Sequence, residues 1–152
     1  MTGVQTCALP IYFYKERGDV WIEKKQYSAA IDDIRKAIQL DPKNGAYYGS
    51  LGWYQLFNRK PRESITASLK ALELSPDEAV MIKTNLAHAY LFDNQFEKAK
   101  AIYLESKNAK LRDGRAFSQA VLDDFKEFQE AGITHPDMQK IKALLTTKTD
   151  AP

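Results

Sequence analysis

The sequence predicts an all-α solenoid, three stacked helical hairpins closed by a two-helix cap, and three observations carry that prediction. Small residues and prolines recur at one interval: Gly18 and Gly52, Ala30 and Ser64, Ala37 and Ala71, and Pro42 and Pro76 lie 34 residues apart, while Gly52 to Ala87 and Ser64 to Ala99 are 35. A period of that size belongs to helical hairpins. Between these positions apolar residues follow the i, i+3, i+4, i+7 spacing of one helix face. Glycine and proline are scarce, 7 and 6 among 152 residues, which suits helices. One hairpin cannot bury its own apolar stripe, so neighbours stack into a continuous core and form a curved ribbon with a concave surface.

The first helix is expected over about 12–25, where Tyr14, Gly18, Trp21 and Lys25 share a face and Pro10 stands at the start. The second begins at Tyr27, carries Ala30, Ile31, Ile34, Ala37 and Ile38 on one side, and ends at Asp41-Pro42. A second hairpin pairs about 45–57 with 61–74, Pro61 being a favoured first helical residue and Ser75-Pro76 the stop. A third pairs about 77–92 with 95–108 through an Asp93-Asn94 turn. The repeats are therefore expected at about 12–44, 45–78 and 79–112. Gly18, Ala30, Ala37, Gly52, Ser64, Ala71, Ala87 and Ala99 are the expected packing sites, because helices of a hairpin approach closely only where side chains are small.

After Asp113-Gly114 the period is lost, yet Phe117, Val121, Phe125 and Phe128 again share a face, with Gly132 as a helix stop. A last short helix opens around Thr134-His135-Pro136-Asp137 and carries Met138, Ile141, Leu144 and Leu145. Both are expected to cap the apolar flank of the final repeat over 113–146, with 147–152 frayed.

Residues 1–11 read MTGVQTCALPI and resemble one reading frame of a common sequencing-library adapter, with GTG taken as the start codon. They have no basic n-region, no long apolar stretch and no small-residue cleavage site, so a signal peptide does not explain them. The segment is expected to be an artefact outside the fold, and the chain a fragment whose upstream sequence has been lost. Cys7, the single cysteine, falls within it, which leaves no disulfide or thiol chemistry for the remainder.

With 44% hydrophobic and 28% charged residues the chain falls in the ordinary globular range. No apolar run approaches the roughly 20 residues needed to cross a bilayer. The 22 basic and 20 acidic residues interleave to a net charge of +2, which argues against nucleic acid as a partner. Arg59, Lys60 and Arg62, and Lys107, Lys110, Arg112 and Arg115, fall at expected turns or helix ends and read as solvated loop charge. The two histidines, His88 and His135, are 47 residues apart, so no metal set converges. Phosphate-binding loops, paired catalytic carboxylates and a nucleophile beside a base are missing; neither a catalytic residue, a metal nor a cofactor is expected. Asp32-Asp33 and Asp123-Asp124 read as solvent-facing charge, and His88 as a polar groove residue.

On these residues the chain resembles the tetratricopeptide repeat family, with its pattern W-x2-L-G-x2-Y, A-x3-F, P. In the first hairpin Tyr14, Gly18, Trp21, Ala30, Ile34 and Pro42 stand at motif positions, with Arg17 a departure at the Leu. Tyr48, Leu51, Gly52, Ser64, Ala71 and Pro76 match in the second, where Gln55 and Ser68 replace aromatics. Leu86, Ala87, Tyr90, Phe96, Ala99 and Tyr103 match in the third, which lacks the closing proline and has Ser106 for Ala. The segment from Phe117 to Leu145 resembles tails of bacterial proteins of this family.

The resemblance implies a right-handed superhelix whose groove is lined by the first helix of each hairpin. Its residues here would be Lys15, Asp19, Ile22 and Glu23, then Gly49, Trp53, Leu56 and Phe57, then Thr84, His88, Leu91 and Phe92. One family mode clamps a terminal carboxylate with Lys and Asn. Lys15 fits it, but Asp19 and Trp53 stand at the Asn positions, so that clamp is not expected. The groove reads as polar at its beginning and apolar from Trp53 onward, suited to a segment with bulky apolar anchors, or else as apolar side chains packed on the cap. The expected function is a non-enzymatic scaffold holding a partner protein or peptide. The alternative is the regulatory or scaffolding portion of a larger enzyme or a secretion or envelope component. Cytoplasmic and periplasmic locations both stay open, as does oligomeric state.

Overall fold

The structure, a computed structural model, describes residues 9–147. Among them the regular elements are helices: α1 (Ile11–Glu23), α2 (Tyr27–Leu40), α3 (Gly45–Phe57), α4 (Pro61–Leu74), α5 (Ala79–Phe92), α6 (Phe96–Ser106), α7 (Phe117–Glu130) and α8 (Met138–Thr146). A 3-10 turn, Pro76–Glu78, leads into α5 in place of the helix expected from Asp77. Consecutive helices from α1 to α6 pack on one another, and α3 also touches both α1 and α5, as in an α-solenoid of hairpins. Residues 1–8 with Cys7, and 148–152, lie outside the described residues. Ile11, expected outside the fold, is instead the first residue of α1 and packs against the core.

Each hairpin turn has the same build. Lys25, Arg59 and Asn94, again 34 and 35 residues apart, take left-handed φ of 58°, 58° and 61°. The following amide reaches back to the helix it leaves: Gln26 to Trp21, Lys60 to Gln55 and Gln95 to Tyr90, at 2.8, 2.9 and 2.8 Å. These are Schellman closures that satisfy carbonyls at the helix ends. The turn between α7 and α8 repeats the closure with Gly132 at φ 72°.

The small residues sit at helix crossings. Ala30, Ala37, Ser64, Ala71, Ala87 and Ala99 are fully buried. Gly18 differs from the expectation of a contact inside its own hairpin. A Cβ there would stand 2.9 Å from the Tyr54 hydroxyl, so its bareness admits the next hairpin's α3. Gly52 does face its hairpin partner, where a Cβ would lie 2.6 Å from Ser68 Oγ. Ser64 adds a 2.7 Å hydrogen bond to the Gly52 carbonyl.

Several charges read as solvated are structural. Asp33 is buried and accepts from Arg17 Nε and Nη2, both at 2.6 Å, and from Trp21 Nε1 at 3.0 Å. This bidentate pair accounts for Arg17 standing at the motif's Leu position and holds its guanidinium above the ordinary value. In the basic clusters, Arg59 donates to the Gly132 carbonyl at 3.0 Å, Arg62 to Asp93 at 3.0 Å, and Lys107 to the Leu144 and Thr147 carbonyls at 2.8 and 2.7 Å. Arg59 docks the turn after α7 and Lys107 closes the end of α8, whereas Arg62, 84% exposed, remains solvated charge as expected. The motif departures in the second hairpin leave a defect: Gln55 Oε1 and Ser68 Oγ are buried without hydrogen-bond partners among the described residues.

Candidate functional site

Helix α7 decides the shape of the concave face. Phe117, Val121, Phe125 and Phe128 are fully buried, each worth about 1.5–3 kcal/mol over exposure. The Phe128 ring lies 5.2 Å from Trp53, 5.1 Å from Phe57, 5.3 Å from His88 and 5.1 Å from Phe92, centroid to centroid. Leu56, Phe57, His88 and Leu91 are buried, and Trp53 and Phe92 are half-buried against the core. The groove expected to be apolar from Trp53 onward is therefore filled by the chain itself. Ile22 is buried and Glu23 is exposed away from the filled region.

A polar chain pins α7 in place. His88 Nδ1 lies 2.7 Å from the Tyr103 hydroxyl and Nε2 lies 3.1 Å from Asp124 Oδ2. Burial, then the Asp124 charge, pushes the Tyr103 hydroxyl well above its ordinary pKa, so it keeps its proton. With Tyr103 donating to Nδ1 and Nε2–H donating to Asp124 Oδ2, both ring nitrogens of His88 are satisfied. Asp124 is thus an anchor rather than free surface charge, and His88 is sealed under α7 rather than presented to the groove. His135 Nε2 meets Asn94 Oδ1 at 3.1 Å and ties the following turn to the third hairpin.

The polar half of the groove stays open as a cleft of about 290 Å³. Lys15 and Asp19 of α1 form one wall, Ala120 and Asp124 of α7 the other, and Gly49, Ser50, Trp53, Tyr54, Thr84 and Asn85 the floor between them. Met81, Leu111 and Arg115 lead on to a wider recess of about 990 Å³ between the 3-10 turn and the loop after α6. That loop is held by a bridge between Lys110 and Ala116 and by Arg115, whose backbone N and Nε donate to Asp113 at 3.0 and 2.7 Å.

The cleft's electrostatics are set by pairs. Lys15 Nζ donates to Asp19 Oδ2 at 2.7 Å, and the Tyr54 hydroxyl donates to Asp19 Oδ1 at 2.5 Å. Burial first, and then Asp19, raises the Tyr54 pKa far above normal, so this donor stays protonated at any working pH. Lys15, the cation that the clamp mode would use, is thus paired within the chain by Asp19. Of the residues expected in the groove, Lys15, Asp19, Gly49, Trp53 and Thr84 share the cleft, and the others do not. Sequence reasoning missed Ser50, Tyr54 and Asn85. Each stands one residue after an expected groove position, Gly49, Trp53 and Thr84, whereas Asp124 and Arg115 lie beyond the period and carried no signal.

Among the described residues no group of three or more His, Cys, Asp or Glu is placed to hold a metal ion, and no helix is long and apolar enough to cross a membrane.

Comparison with known proteins agrees with this architecture. Family models described as tetratricopeptide repeat match residues 11–44 and 82–111. The chain is 32% identical over 74 residues to the small glutamine-rich tetratricopeptide repeat-containing protein 2 of Mycosarcoma maydis, a match covering 49% of this chain and 21% of that protein. It is 28% identical over 143 residues to the STIP1 homolog of Dictyostelium discoideum, 91% of this chain and 25% of the relative. It is 25% identical over 135 residues to DnaJ homolog subfamily C member 7 of Homo sapiens, 84% and 26% respectively. The chain thus spans about a quarter of the length of these relatives or less. Repeat period, hairpin geometry and both family matches agree that the chain carries tetratricopeptide repeats stacked as an α-solenoid, an architecture for interaction between proteins.

Proposed function

We propose that this chain is a non-enzymatic scaffold that holds a segment of a partner protein in the polar cleft between α1, α3, α5 and α7, its three repeats running over about 12–44, 45–78 and 79–112. The observation that carries the reading is the split of the concave face: α7 fills the apolar half, while the half with hydrogen-bonding groups stays open. A cleft with a few convergent polar groups and an aromatic wall is the usual form of a recognition site.

The test uses a variant that fills the cleft and leaves the fold alone. A Cβ at Gly49 would meet only Ile82 Cγ1, at 3.8 Å, so Gly49→Leu places its side chain in the cleft without a backbone clash. Random peptides displayed on phage are selected on the wild-type chain and measured on both proteins. Peptides that bind the wild type and lose about tenfold or more on Gly49→Leu support the reading. Failure of the library to enrich, or equal binding to both, overturns it.

A further inference from the structure

The open cleft carries two acceptors without a hydrogen-bond donor among the described residues, and they define the ligand it takes. Asn85, 8% exposed, donates Nδ2 to the Gly49 carbonyl at 3.1 Å, which fixes its amide orientation and leaves Oδ1 on the cleft without a partner among the described residues. Asp124 gives one oxygen to His88, and its second has no hydrogen-bond partner there. The two resident cations are already engaged. Lys15 is held by Asp19 at 2.7 Å, and Arg115 by Asp113 at 2.7 Å with Asp123 at 3.9 Å; the Arg115 charge also acts on Asp124, but with no hydrogen bond between them. Three residues along α7 from Asp124, Glu127 is pushed above the usual carboxylate range, first by partial burial and then by the charges of Asp124 and Glu130.

Gly49 supplies the independent observation. Glycine weakens a helix interior relative to alanine, so it needs a reason there. At Gly18, Gly45 and Gly52 the reason is steric, since a Cβ would stand within 3.0 Å of Tyr54 or Ser75 or Ser68. At Gly49 a Cβ would be in ordinary contact with Ile82 alone, so packing within the chain does not demand glycine. What glycine does at that point is leave the helix backbone bare at the floor of the cleft, flanked by Trp53 one turn on.

We infer that the cleft seats a basic side chain of the partner, an arginine before a lysine, over Gly49 and against Asp124, Asn85 and Trp53. This rests on the groove reading above and deepens it. Acceptors without donors select a ligand that donates and carries positive charge, and an acidic segment or a terminal carboxylate would set acceptor against acceptor. A planar guanidinium, with five donors in a fixed fork, satisfies a carboxylate oxygen and an amide oxygen together and lies against an aromatic wall, which an ammonium does less well.

The experiment titrates the ¹⁵N-labelled chain with N-acetyl-arginine methylamide, and separately with the lysine, norleucine and glutamate analogues. Asp124→Asn is the test variant, since Asn keeps an acceptor for His88, and circular dichroism confirms its fold. The expected result is saturable shifts at Gly49, Ser50 and Asn85 in the order arginine, lysine, then the others, with Asp124→Asn weakening arginine about tenfold. Equal shifts from all four analogues, shifts elsewhere, or arginine binding unchanged in the variant would overturn the inference. Phage peptides that depend on Gly49 but carry no enriched Arg or Lys would sink it while the groove reading stands. Arginine binding without any Gly49-dependent peptide would instead sink the groove reading.

Discussion

The two halves of the concave face are built from the same helices yet have opposite fates. Toward the C-terminal turns of α3 and α5, Trp53, Phe57 and Phe92 meet Phe128 and the face closes. Toward the middle of the same helices, Gly49, Ser50, Thr84 and Asn85 face space. An apolar stripe in a groove reads alike in sequence whether it awaits a partner or packs on the chain's own helix. Here the aperiodic tail supplies the occupant. What stays open is the part where helix backbone and polar side chains are presented, so the recognition proposed above would rest on hydrogen bonding and charge rather than on apolar area.

The largest effect expected is on the closed half. Phe128→Ala removes the ring shared by four aromatic neighbours and should cost about 3–5 kcal/mol in chemical denaturation. A loss under about 1 kcal/mol would mean that α7 contributes little to closing the face.

The glycines separate the two halves more finely. Gly18→Ala drives a methyl toward the buried Tyr54 ring, whose Cε2 and hydroxyl would lie at 3.0 and 2.9 Å, and should destabilise by about 1–3 kcal/mol. Gly49→Ala meets only Ile82 and should stabilise by about 0.5–1 kcal/mol, the ordinary helix preference. Thermal melts of the two variants moving in the same direction would break the distinction between packing glycine and cleft glycine.

The smallest effect concerns charge on α7. Because the folded pKa of Glu127 is raised, its ionised form is disfavoured more in the fold than in the unfolded chain. The cost is present at pH above the raised value and vanishes as pH falls below the ordinary carboxylate range. Glu127→Gln should therefore raise stability at neutral pH by a few tenths of a kcal/mol, discounted for its exposure, and by nothing near about pH 3. A stabilisation that persisted unchanged in acid would point to a cause other than charge.

Much of the fold was legible because the residues that enforce it recur. Small residues at 34- and 35-residue spacing mark crossings, and Pro61 and Gly132 mark a helix start and a helix end. The hairpin turns were placed, but their left-handed residues were not, since Lys25 and Arg59 are not residue types that favour that conformation. The candidate site was legible on its α1 and α3 side and, through Thr84, on α5, but not on α7. Asp33 and Asp124 looked like surface charge because their partners, Arg17 and His88, lie 16 and 36 residues away, and side-chain pairing over such distances leaves no local pattern. The acceptor on Asn85 escaped notice for the same reason: it matters through the Gly49 carbonyl, 36 residues earlier.

The claim on which the rest depends is that α7 is a fixed part of the concave face, and amide hydrogen exchange along α7 tests it most directly. The account predicts that the Phe125 and Phe128 amides exchange only through global unfolding, with the same protection as the buried amides of α3 and α5. Exchange at these two amides through a much smaller opening, while α3 and α5 remain protected, would contradict it, because the apolar half of the groove would then open on its own.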